Sequence, residues 1–254
     1  MVRQLGWDVK KTTRESHTVL RVSEKDESQA FGMKEESFVE EVILELDFEG
    51  PDVPPRSHYE APEEDKTGGK LLQCFQADKI LRIIQLDLDL KYKTNIRELF
   101  EEFDNFLPGA VIGIAREMQP VYRHTFWQFR HENPKTRVGS PPPEGLPGFN
   151  SGVMLLNLEA MRQSPLYGRL LEPLQVQQLA DKYHFRGHLG DQDFFTMIGM
   201  EHPELFHVLD CTWNRQLCTW WRDHGYSDVF EAYFRCEGHV KIYHGNCNTP
   251  IPEA

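Results

Sequence analysis

The sequence has no apolar run approaching the ~20 residues that a membrane helix needs, and residues 1–30 hold no apolar signal-peptide core. The chain as it stands is therefore expected to be soluble, with no visible route into a secretory compartment. Positive charge is scarce: 28 Lys and Arg stand against 40 Asp and Glu, a net of -12. That balance argues against a nucleic acid as partner. A phosphate-bearing ligand would need a metal or a local basic cluster. Cysteine is sparse too, five in 254 residues with no C-x-x-C pair. Yet Cys211, Cys218, Cys236 and Cys247 crowd into the last 44 residues, while Cys74 stands apart. Their spacings of 6, 17 and 10 intervening residues match no common zinc finger. The even, local cluster suggests two disulfides in an oxidising compartment, in tension with the missing signal. A zinc site and buried free thiols are the alternatives, and spacing cannot choose among the three pairings. What the chain does have, 39% hydrophobic and 11% aromatic residues, suffices for a core in one large domain or two small ones.

Residues 1–70 differ from the rest. They carry 17 acidic and 10 basic residues and mostly lack an apolar period. The exception is residues 35–46, where Phe38, Val39, Val42, Ile43 and Leu46 form a helical stripe. Breaks at Gly50-Pro51 and Pro54-Pro55 and a charged linker at 60–70 follow. A loosely ordered leader over 1–70, with at most one helix, is expected to precede a folded region over 71–254. In that region the patterning predicts strands at 79–90, 110–115 and 152–156. Helices are predicted at 95–103, from about 158, at 173–183 and at 191–199, the last capped by Asp191. Alternating strands and helices indicate an α/β sheet flanked by helices, and no internal repeat is present.

Four stretches carry chemistry. In Ile84-Gln85-Leu86-Asp87-Leu88-Asp89-Leu90, apolar and polar residues alternate as in a strand with one buried face. That spacing sets Asp87 and Asp89 on one face. Paired carboxylates repel unless a cation lies between them, and hard divalent ions choose such oxygens and share them with phosphates. Two solvated acids on an exposed strand are the plain alternative. Phe149-Asn150-Ser151-Gly152 leads straight into an apolar strand. Gly152 permits close approach to the backbone, and Asn150 and Ser151 can bond sugar hydroxyls; a simple strand-initiating turn competes. Gly187-His188-Leu189-Gly190-Asp191-Gln192-Asp193 sets polar groups at a helix start, which favours anions but also fits an ordinary cap. Last comes Ile242-Tyr243-His244-Gly245-Asn246, whose imidazole could join two carboxylates on Mn2+, although a lone histidine is more often structural.

Taken in order, Leu86–Asp89, Phe149–Leu158, Gly190–Asp193 and His244-Gly245 resemble the motifs of the retaining glycosyltransferases of family eight. The resemblance covers about residues 80–252 and implies a GT-A fold, a Rossmann-like nucleotide-diphospho-sugar transferase sheet. Within that family, the Cys211–Cys247 tail and residues 188–192 resemble the membrane-anchored members of the endoplasmic reticulum that extend xylosides. That implies α-1,3-transfer of xylose from UDP-xylose to a xylose-glucose O-linked glycan on EGF-like repeats, such as those of Notch. It implies Mn2+, with Mg2+ as substitute, held by Asp87, Asp89 and His244. Donor contacts are implied at Leu88, Asn150, Ser151, Gly152, Gln192, Gly245 and Asn246, and acceptor contacts at His124, His188, Leu189 and Trp221. Disulfides Cys211–Cys236 and Cys218–Cys247 and a homodimer are further implications. Gln192 and Asp191 are the implied catalytic pair: the amide positions or stabilises, and Asp191 is an alternative nucleophile to same-face attack by the acceptor.

Two departures stand out. The family's late histidine segment usually contains a lysine, whereas Asn246, Asn248 and Thr249 stand here. Residues 1–75 also show no βαβ pattern for uridine. The nucleotide-binding front is thus expected to be incomplete, and an impaired isoform that only binds a partner, or is unstable, is the alternative to an active transferase.

Overall fold

Strands form where β-branched and apolar residues run together, and they meet in a seven-stranded mixed sheet. The computed structural model describes residues 80–186 and 190–253, together with the backbone of three earlier strands. Those strands are β1 (Asp8–Arg14), β2 (His17–Ser23) and β3 (Glu41–Leu46). They are followed by β4 (Arg82–Asp87), β5 (Leu90–Tyr92), β6 (Ile112–Arg116), β7 (Phe149–Asn157), β8 (Phe206–Leu209), β9 (Arg215–Gln216) and β10 (Ile242–His244). The large sheet has the order β1-β2-β3-β4-β7-β6-β8, and β5-β10-β9 form a small second sheet. β4 pairs antiparallel with β7 and parallel with β3, while β6 pairs antiparallel with β7 and parallel with β8.

Residues 41–46, expected as part of a helix, are a strand. Val42 and Ile43 are β-branched, and the edge of β4 offers them hydrogen-bond partners from Val42↔Ile83 to Leu46↔Asp87. A pairing 41 residues distant in sequence is invisible to a local helical stripe. The charged linker expected at 60–70 lies outside the described residues. β4 also differs from a strand with one wet face: Ile83, Ile84, Gln85 and Leu86 are all buried, because β4 lies between two neighbours with helices over both faces.

The two faces have separate cores. On one, Ile83, Ile112, Ile114, Met154 and Leu156 pack against Phe195 and Ile198 of the helix Asp191–Glu201 and Met161 of the helix Leu158–Gln163. On the other, Ile84, Leu86, Val153 and Leu155 pack against Leu99 of the helix Ile96–Glu101, Trp213 and Ile242 of β10. Met154 and Leu156 serve one face and Val153 and Leu155 the other, the period-two alternation of a central strand. The register of β7 on β6 jumps from Ile114↔Met154 to Ala115↔Asn150. Ser151, Gly152 and Val153 therefore bulge, and the bulge lies beside the end of β4.

Candidate active site

β4 ends at Asp87, and the chain bends at Leu88 and Asp89 before β5 begins. The two aspartates are thus not alternate residues of one strand, as the periodicity predicts: one closes β4, the other sits in the bend. The bend is pinned by Gly245, whose N–H donates to the Asp89 carbonyl at 2.8 Å. That bond, with the pairing His244↔Leu90, carries the end of β10 to the carboxylates. His244 Nε2 lies 3.5 Å from Asp87 Oδ2 and 3.3 Å from Asp89 Oδ1. One ligand atom from each of the three falls within 4.8 Å of the others. His244 is 3% exposed.

This arrangement fits a hard divalent cation. Its donors are two carboxylate oxygens and one imidazole nitrogen, and the imidazole is prepared for the task. His244 Nδ1–H donates to Asn214 Oδ1 at 2.9 Å, which leaves the Nε2 lone pair facing the aspartates. Burial pushes the Asp87 carboxyl up to about 6, against the opposing pull of His244. The polar contact with the His244 ring holds Asp89 below its usual range. Two acids held at different proton affinities, with a histidine between them, form a site that a cation relieves.

Gly152 is the spacer of the site. A Cβ there would lie 2.3 Å from His244 Cε1, 2.6 Å from its Nδ1 and 3.0 Å from Asp87 Oδ2. The close approach expected for a ligand is made by the histidine instead. Gln192 reaches the same bulge, its Oε1 accepting from the Ser151 N–H at 3.0 Å. Its helix starts one residue earlier than a cap by Asp191 predicts. Gly190, with φ of 61°, is the cap residue, and Asp191 Oδ1 accepts from the Gln192 N–H at 2.8 Å. Asp191 Oδ2 accepts from Gln85 Nε2 at 3.3 Å.

The other expected contact residues divide. Leu88 projects from the bend, 46% exposed. Asn246 turns inward, its Oδ1 accepting from the N–H groups of Leu217 and Cys218 at 3.0 Å each. His124 and Trp221 meet with ring centroids 5.2 Å apart, and His124 Nδ1 and Tyr226 Oη are 2.7 Å apart. His188 and Leu189 lie outside the described residues. Both implied disulfides are formed, Cys211–Cys236 and Cys218–Cys247.

Sequence reasoning missed Glu117 and Asn214. Glu117 is 3% exposed, and its Oε2 accepts from Asn150 Nδ2 at 3.1 Å and Gln192 Nε2 at 3.4 Å. Asn214 is fully buried, and its Nδ2 donates to Asn150 Oδ1 at 2.8 Å. An acid directly after the strand Ile112–Arg116 was the available signal for Glu117. Asn214 sits in an irregular stretch that offers none.

The fold is that of the GT-A glycosyltransferases, and the chain belongs to glycosyl transferase family 8, which matches residues 70–232. Human xyloside xylosyltransferase 1 is 94% identical over 175 residues, which are 69% of this chain and 44% of the human protein. Its mouse counterpart is 95% identical over 175 residues, 69% of this chain and 45% of the mouse protein. The crystal structure of mouse xyloside xylosyltransferase 1 in its apo form superposes with a TM-score of 0.69 at 94% identity, covering 69% of this chain and 62% of that one. The chain thus spans less than half the length of these curated relatives.

Proposed function

We propose that this chain carries the catalytic region of a retaining xylosyltransferase, moving xylose from UDP-xylose to a xylose-glucose glycan O-linked to EGF-like repeats. The observation that carries the reading is the convergence of Asp87, Asp89 and His244 from distant segments, in a chain so similar to xyloside xylosyltransferase 1. These three residues would hold Mn2+, with Mg2+ as substitute. The ion, when bound, neutralises charge on the departing diphosphate. The four late cysteines, paired as two disulfides, support work in an oxidising lumen, that of the endoplasmic reticulum.

The protein's own groups orient the donor. The Ser151–Val153 bulge and the Leu88 bend flank the site, so their backbone is where the donor sugar and diphosphate would lie. Gln192, bonded through Oε1 to the Ser151 N–H and hydroxyl, lies under the bulge against which the sugar would rest. An amide is a poor nucleophile, so Gln192 positions the sugar and stabilises the oxocarbenium-like state. The Asp191 carboxylate is engaged on both oxygens, by Gln85 and by the Gln192 N–H. That favours same-face attack, in which the acceptor hydroxyl passes its proton to the leaving phosphate oxygen. The pairing of His124 and Trp221 supports an acceptor subsite there, with the indole face against a sugar ring.

Transfer from radiolabelled UDP-xylose to a xylosyl-glucosyl acceptor, with and without Mn2+, tests the reading. Metal-dependent transfer that Asp87→Asn abolishes is expected. No transfer, together with no thermal shift on adding UDP, would instead identify an impaired form.

A further inference from the structure

A buried acid that touches none of the metal ligands joins both halves of the site. Glu117 follows β6 directly, and its backbone N–H is fixed to the Gly148 carbonyl at 3.0 Å. Its side chain ionises at a cost, since burial pushes the carboxyl up to about 7. Among the described residues no Lys or Arg forms an ion pair with it. Its partners are instead hydrogen-bond donors. Oε1 accepts from the Gln119 N–H at 3.1 Å, and Oε2 accepts from Asn150 and from Gln192.

The direction of these bonds matters. A carboxylate only accepts, so each amide facing it must present its NH2 group. Asn150 therefore turns its Oδ1 away, where it accepts from Asn214 Nδ2 at 2.8 Å and from the Gly152 N–H at 3.1 Å. Asn214 in turn offers its own Oδ1 to His244 Nδ1–H at 2.9 Å. Read end to end, an acceptor at Glu117 sets a donor at His244 Nδ1 and makes Nε2, which faces Asp87 and Asp89, the nitrogen that can bind a metal. The same carboxylate orients the Gln192 amide, whose opposite end takes the Ser151 N–H.

We propose that Glu117 is a positioning residue: its acceptor-only carboxylate fixes the amide of Gln192 and, through Asn150 and Asn214, the metal-binding tautomer of His244. The proposal rests on the metal-site reading above. It also makes Glu117 hard to replace by its own isostere. A glutamine has one acceptor oxygen, whereas donors face Glu117 on both sides. Either amide orientation sets N–H against N–H, at the Gln119 backbone or at Asn150 and Gln192.

The test is direct Mn2+ titration of the full metal-free chain by electron paramagnetic resonance, with 15N NMR of the His244 ring at pH 8. The unmodified chain is expected to show one His244 tautomer, protonated at Nδ1. Glu117→Gln is expected to weaken Mn2+ binding about tenfold and to populate the Nε2–H form. Asn214→Ala cuts the relay nearer the ring and is expected to weaken binding at least as much, with no further loss in the double variant. A predominant Nε2–H tautomer in the unmodified chain overturns the proposal without any variant. So does a Glu117→Gln protein that binds Mn2+ as the parent does, or losses that add. Absence of Mn2+ binding by the parent overturns the functional reading itself, and the proposal with it.

Discussion

Gly152→Ala is the smallest change that tests how the site is built. The new methyl would meet His244 Cε1 at 2.3 Å and Nδ1 at 2.6 Å, against a comfortable separation of about 3.5 Å between carbon atoms. Something must retreat by roughly 1 Å. Gly152 lies in the bulge between Asn150, paired with β6, and Val153, paired with β4, and its N–H is held by Asn150 Oδ1 at 3.1 Å, so the ring yields. Its Nδ1 bond to Asn214, at 2.9 Å, then stretches beyond use, and Nε2 leaves its place between the aspartates. Metal–ligand distances tolerate only about 0.2 Å, so a displacement of this size removes the imidazole from the coordination sphere. The expected outcome is at least a tenfold weaker Mn2+ affinity. Overpacking should cost a further ~1–3 kcal/mol of stability in the metal-free protein. Isothermal titration with Mn2+ and a thermal melt in chelator measure the two effects separately. Gly168→Ala is the matched control. It lies in the helix Pro165–Leu170 with nothing within 4 Å of the added Cβ. It is expected to leave Mn2+ binding unchanged and to stabilise by ~0.5–1 kcal/mol. A Gly152→Ala protein that melts and binds Mn2+ like its parent would refute the spacer argument.

Three further outcomes are expected. Because burial raises the Asp87 carboxyl to about 6, protons compete with the metal. Mn2+ affinity should level off above about pH 7 and fall about tenfold per pH unit well below 6; a flat profile from pH 5 to 7.5 would contradict this. Glu117 moves from an ordinary 4.5 to about 7, so its contribution to the stability of the metal-free fold is fully present below 4.5 and is lost as pH rises through about 7. That loss is on the order of 3 kcal/mol. Melting temperature against pH should therefore be flatter for Glu117→Gln than for the parent, and identical slopes would rule out the assignment. Finally, replacing Cys218 and Cys247 by serine should cost about 2–4 kcal/mol of stability and also weaken Mn2+ binding. That disulfide anchors the chain three residues beyond His244, where Asn246 binds the Cys218 N–H. The same change at Cys211 and Cys236 should cost stability alone, as melts and metal titrations of the two double variants would reveal.

What the sequence disclosed divides along physical lines. The apolar run of β7 and the helix start at Asp191 were local signals, and both were legible. The metal triad was legible only because each member lies in a short motif that resembles a family. Periodicity by itself set Asp87 and Asp89 on one strand face, where the chain in fact bends. The helical stripe failed over 41–46, its described part, because a local pattern competes with an open sheet edge, and pairing with β4 is a long-range interaction. Gln85 and Glu117 were not read as site supports for a different reason. Gln85 is a single polar residue within β4 and Glu117 one just after β6, and only the tertiary fold turns such a residue inward.

That pattern bears on how the site keeps its shape. The ligands arrive from three segments, and none is rigid alone: Asp87 ends a strand, Asp89 sits in a bend, and His244 ends a three-residue strand. Backbone pairing aligns them coarsely, through Leu86↔Val153 and His244↔Leu90. The finer alignment comes from buried amides, Asn150, Asn214 and Gln192, each with both ends bonded. An amide held at both ends has one orientation, and a run of them ending on a carboxylate has one direction. The polar interior beneath β7 is therefore what converts a loose meeting of chain ends into a coordination site, and a wholly apolar core of the same volume would leave His244 free to choose its tautomer.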